Sequence, residues 1–111
     1  MADISVQAQQ RILSAIRERL QDVRTLRAST RAKNGYMGFN LTETTLSELH
    51  DVVAKSLDRD QIVDWLKLSD GYIALTGGGA VAPAVKRARE AFKVMWEELE
   101  APPPAQLSAA G

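Results

Sequence analysis

Val81, Val85, Ala88, Phe92, Met95 and Leu99 follow one another at intervals of 4, 3, 4, 3 and 4. No other feature restricts what the chain can fold into as much. Positions three and four apart share one face of an α-helix, so this spacing sets the apolar side chains in one stripe over nearly three heptads. A helix with such a stripe must lay it against other helices. Trp96 widens the stripe, Pro83 stands in the first turn where proline is tolerated, and Pro102-Pro103-Pro104 ends it. The spacing predicts a helix over 82–100 followed by a disordered tail over 102–111.

The same period recurs near the N-terminus. Ile12, Leu13, Ile16, Leu20, Val23 and Leu26 lie at helical spacing, with polar residues between them and no Gly or Pro to interrupt. This predicts one long helix over 4–31, capped by Asp3 or Ser5, fraying from Thr30 toward Lys33 and stopped at Asn34-Gly35. Some 27 residues at ~1.5 Å each make a helix of ~40 Å. A compact domain of this size has a radius of gyration of ~13 Å and a width of no more than about 35 Å. The first helix is then expected to overrun its own domain. Leu13, Ile16, Leu20 and Val23 fit a/d spacing, so that surplus face is expected to pack on another chain, most simply in a two-fold homodimer.

Between these ends, Asn34 to Thr44 reads as a loop. Its Tyr36, Met37 and Phe39 either plug the core or serve as aromatic and apolar anchors for a partner. Thr45-Leu46-Ser47-Glu48 has the form of a capping box and opens a second helix over 45–57, with Leu46, Leu49, Val53 and Leu57 on one face. Asp58 to Gln61 is a second such start. It opens a third helix over 59–69 carrying Ile62, Val63, Trp65, Leu66 and Leu68, ended by Asp70-Gly71. The run Tyr72 to Leu75 is apolar and too short to assign. The whole is expected to be a single all-α domain over 1–101, a small bundle of about four helices packed as a dimer.

Gly77-Gly78-Gly79 ahead of a good helix raises the question of a phosphate cradle. A phosphate loop of the Walker type needs a preceding strand, spaced glycines and Lys-Ser/Thr at the helix start; here the glycines are contiguous and Ala80-Val81-Ala82-Pro83 follows. A dinucleotide fingerprint needs its βαβ unit. The glycines therefore read as a sharp bend or hinge.

No other chemistry assembles. The chain has no cysteine, which removes thiol catalysis and Cys-based zinc sites. His50 is the one histidine, flanked at helical spacing by Ser47 and Ala54, and it reads as a surface residue. Asp58, Asp60, Asp64 and Asp70 lack the glycine and terminal glutamate of a calcium loop. No catalytic, cofactor or metal residue is assigned, and the chain is not expected to be an enzyme.

The formal net charge is zero, yet residues 1–40 hold seven Lys/Arg against three Asp/Glu, and residues 41–111 hold seven against eleven. The halves, +4 and −4, could attract within a chain or between two. Glu97, Glu98 and Glu100 oppose the dipole of the last helix, and the basic first helix is an obvious partner for them. Arg17, Arg24 and Arg31 recur every seven residues with Arg27 beside them, which would suit a nucleic-acid backbone. Val52 to Leu68 has a helix-turn-helix flavour, but its second helix carries Asp58, Asp60 and Asp64, which phosphates repel.

No stretch approaches the ~20 apolar residues of a membrane span, and the N-terminus lacks a signal peptide's basic start and apolar run. A cytoplasmic protein is expected, and the Ala-rich composition suits a bacterial or phage chain. The leading expectation is a small regulatory or adaptor protein that sequesters or masks another protein, such as a transcription factor or an enzyme. Leu13, Ile16, Leu20, Val23, Tyr36, Met37 and Phe39 would form its contact surface. The alternative is a nucleic-acid-binding transcriptional regulator using Arg17, Arg24, Arg27 and Arg31.

Overall fold

The computed structural model describes residues 3–30 and 36–101. Four helices follow in order: α1 (Val6–Ser29), α2 (Tyr36–Lys55), α3 (Arg59–Thr76) and α4 (Ala82–Glu100), with a 3₁₀ turn at Gly79–Val81 before α4. Consecutive helices pack side by side and α4 returns to α1, so α1 and α3 stand at opposite corners of a four-cornered bundle. Side-chain contacts set the directions. Gln9 reaches the Val53 carbonyl and Arg27 reaches Glu43, so α1 and α2 are antiparallel. Lys67 meets Glu100 and Asp70 meets Arg89, so α3 and α4 are antiparallel as well.

Local chemistry starts and stops the helices. Ser5 caps α1, its Oγ accepting from the Ala8 amide at 3.0 Å. Asp58 caps α3 through the Asp60 amide at 3.1 Å. A bridge between Asp3 and Asp58, with the Ile4 amide donating to the Leu57 carbonyl at 2.7 Å, ties the N-terminal segment to the α2–α3 turn. The fourth helix has the predicted bounds. The first stops at Ser29, where Thr30 turns extended and its hydroxyl bonds back to the Leu26 carbonyl. The expected stop at Asn34-Gly35 and the tail over 102–111 lie outside the described residues.

Two expected breaks are not breaks. Residues Tyr36 to Thr44, read as a loop, form the first half of α2. Its buried positions are Phe39, Thr42, Leu46, Leu49 and Val53, a 3-4-3-4 series in which a threonine occupies an apolar place. Thr45 lies mid-helix, and its hydroxyl donates to the Leu41 carbonyl at 2.8 Å instead of capping anything. In α3 the buried residues are Ile62, Val63, Leu66, Ser69 and Ile73, and the helix runs straight through Asp70-Gly71 to Thr76.

The core is one cluster drawn from all four helices. Ile16, Val23, Phe39, Leu46, Leu49, Ile62, Leu66, Ile73 and Phe92 are completely enclosed. Each such side chain contributes roughly 1.5–3 kcal/mol on leaving water.

The glycine run makes the corner between α3 and α4. A Cβ on Gly77 would lie 2.3 Å from Val85 Cγ2 and 2.6 Å from the Ile73 carbonyl, so α4 packs against a bare backbone there. Gly79 takes φ +67, the left-handed conformation that other residues avoid.

Candidate interaction surface

The apolar face of α1 is spent inside the molecule. Leu13, Ile16, Leu20 and Val23, expected to contact a partner, are all buried in the chain's own core. Two premises of that expectation fail. The helix has 24 residues, a length of ~36 Å. The molecule is elongated, 57 Å along its principal axis against 26 and 20 Å across, so α1 has room without overrunning. Phe39 is buried too, beneath Arg27, whose guanidinium carbon sits 5.8 Å from the ring centroid. Of the expected contact residues, Tyr36 and Met37 remain at the surface, on the first turn of α2.

The arginines of α1 are also engaged. Glu43 of α2 takes Arg24 Nε on one carboxylate oxygen and Arg27 Nη1 on the other, both at 2.8 Å, and Arg27 also donates to Asn40. Arg17 Nη1 stands 3.2 Å from His50 Nε2; arginine has only donors, so the ring nitrogen accepts. Arg31 lies outside the described residues. The stripe is thus largely a seam between α1 and α2 rather than an open cationic face. Of the acids at the end of α4, Glu100 pairs with Lys67 of α3 at 3.2 Å, not with α1.

What the molecule does expose is a second stripe on α3. Leu68, Tyr72 and Leu75 stand exposed at intervals of 4 and 3, and the half-buried Trp65, one turn before Leu68, packs against the core at the edge of this stripe. Leu68 is 63% exposed, Tyr72 44% and Leu75 86%. Beside them runs a shallow groove of about 280 Å³ between α2 and α3, floored by Leu41, Thr45, Trp65 and Ser69. Met37, 73% exposed, lies one turn before Leu41 on α2. Leu68, Tyr72 and Leu75 put three large exposed apolar side chains on this one helix, and contiguous apolar patches of about 300–600 Å² on small proteins are often functional. α3 therefore carries two apolar stripes, one spent on the core and one left over.

Gly71 sits between Leu68 and Leu75. It is exposed, lies mid-helix, and has nothing within 4 Å of where a Cβ would stand. Glycine there costs about 1 kcal/mol of helix stability relative to alanine, and no contact among the described residues requires it. It leaves a notch between two protruding leucines, where another backbone could come close.

This surface was missed in the sequence for one reason. With the third helix ended at Asp70-Gly71, Tyr72 and Leu75 do not share a face with Trp65 and Leu68. Reading the helix through Gly71 brings all four into line.

Among the described residues no three His, Cys, Asp or Glu side chains come together as metal ligands, and no helix is long and apolar enough to cross a membrane. Compared with models of known families, with curated proteins and with solved structures, the chain matches none.

Proposed function

We propose that the protein is a small cytoplasmic regulatory adaptor that works by binding proteins rather than by catalysis, and that it is a homodimer built on α3. The observation that carries this reading is the exposed Leu68–Tyr72–Leu75 stripe, edged by the half-buried Trp65, with the exposed Gly71 between its two leucines. A second copy is the occupant that accounts for the glycine. When two α3 helices cross antiparallel about a two-fold axis near Gly71, each notch receives the other backbone, and Leu68 of one copy meets the Tyr72–Leu75 half of its partner.

Charge supports the same alignment. The acids beside the stripe, Glu48 and Asp64, both lie toward the N-terminal half of α3. An antiparallel crossing sets that end against the uncharged Leu75–Gly78 end of the other copy and keeps like charges apart. The adaptor role follows from self-pairing that leaves the other faces of each bundle open to a regulated protein, such as a transcription factor or an enzyme.

The test is sedimentation equilibrium of the full chain beside Leu68→Glu and Gly71→Leu, with helical circular dichroism as the folding control. A dimer in the wild type and folded monomers in both variants are expected. Gly71→Leu is the sharper variant, because leucine favours the helix while filling the notch. A wild type that stays monomeric throughout the micromolar range would sink the proposal, and so would a Gly71→Leu protein that dimerises as tightly as the wild type.

A further inference from the structure

On the adjacent face of the bundle, between α3 and α4, lies a groove of about 570 Å³ with a different character. Its floor is small and apolar: Ala74 of α3, Gly77 just past its end, and Val85 of α4. Its rim on α4 is cationic. Lys86, Arg89 and Lys93 stand at intervals of 3 and 4, and Trp96 closes the end one turn on.

The three cations are not equivalent. Arg89 is held by Asp70, Nε to Oδ1 at 2.9 Å, and that hydrogen bond together with the carboxylate charge raises its pKa above the ordinary value. It forms a fixed wall. Lys86 and Lys93 have no ion-pair partner among the described residues, although Glu90 lies between them on the same helix. They are one heptad apart, which is about 10 Å along the groove.

We infer that this groove binds an acidic amphipathic helix of a partner protein, with carboxylates at i and i+7 meeting Lys86 and Lys93. Between those acids the partner presents small or aliphatic side chains to Ala74 and Val85, and no acid opposite Glu90. An apolar residue about a turn beyond the second acid covers the Trp96 indole. Such a helix satisfies the cations and removes the floor from water in one placement. A nucleic-acid backbone does so less well: its phosphates are continuous, and they would meet Asp70 and Glu90 in the same groove while leaving the apolar floor unused. The inference rests on the adaptor reading and names the class of partner the adaptor holds.

The experiment is selection of displayed helical peptides of randomised sequence on the full-length wild type, followed by fluorescence anisotropy of the selected peptides. Binding is measured on the wild type, on Lys86→Glu/Lys93→Glu and on Gly71→Leu, with a duplex DNA oligonucleotide as a second probe. Enrichment of acids at i, i+7 with apolar residues between them is expected. The charge-reversed variant should lose at least about tenfold in affinity, with binding weakened by salt. Its sedimentation should match the wild type, and Gly71→Leu should keep the affinity, so failure of the dimer and failure of the groove read out separately. The inference is overturned if no peptide is enriched, if enriched peptides lack that acid spacing, or if they bind the charge-reversed variant as tightly as the wild type. It is equally overturned if DNA, and no peptide, binds in a manner that charge reversal abolishes.

Discussion

Single residues set both the limits and the slack of this fold. At Gly77 there is no room: alanine would drive a Cβ into Val85 and the Ile73 carbonyl, and Gly77→Ala should cost about 3 kcal/mol, read as a lowered denaturant midpoint. Gly71 is the opposite case. Its Cβ direction is empty, so Gly71→Ala should raise the stability of the dissociated monomer by about 1 kcal/mol while weakening self-association. One glycine is required by the chain's own packing, and the other has open space where its Cβ would stand. Thr42 adds a third kind of position. It is completely enclosed, and its hydroxyl has no hydrogen-bond partner among the described residues. A buried unsatisfied hydroxyl costs roughly 1–3 kcal/mol, so Thr42→Val should stabilise the protein by about 1 kcal/mol in thermal or urea unfolding.

Between helices, the α1–α2 seam shows how a sequence pattern can mislead. Arginines recurring every seven residues suggest a cationic face, but the helix they lie on is antiparallel to one that presents Glu43 between Arg24 and Arg27. Glu43→Gln should cost about 1 kcal/mol at low salt, and less at high salt, since these groups are only partly shielded from solvent. The helix ends were legible wherever one signal stood alone: Ser5, Asp58, and the whole of α4 with its unbroken stripe. They were illegible where small polar residues stand at core positions. Thr42 and Ser69 each interrupt an apolar series that the bundle buries regardless, and each lies close to a glycine that reads locally as a stop. Gly38 and Gly71 do not end their helices because the buried faces of these helices, 20 and 18 residues long, outweigh about 1 kcal/mol of propensity. Starting the second helix at the Thr45–Glu48 capping pattern turned the first half of α2 into a loop, and ending the third at Asp70-Gly71 hid half of the α3 stripe.

At the scale of the whole molecule, four helices at four corners leave each helix two neighbours and one outward side. α1 uses its apolar face within the bundle, so the self-association suggested by its length finds no surface there. α3, diagonal to α1, is the helix with apolar surface to spare, and the two faces that meet along it differ in kind: one apolar and notched, one cationic around a small apolar floor. A dimer joined on the first face would carry two copies of the second, and a partner with two acidic helices would gain avidity from both. The claim on which this depends is that two α3 helices meet at Gly71. Because the chain contains no cysteine, one substitution tests it without background. Gly71→Cys is oxidised in dilute solution beside Val94→Cys, an exposed position on α4. Backbones crossing at the notch lie within disulfide reach, so Gly71→Cys should convert to a covalent dimer rapidly and nearly completely while Val94→Cys lags far behind. If Gly71→Cys remains monomeric, or cross-links no faster than Val94→Cys, the two helices do not meet there and the account of α3 as the self-pairing face is wrong.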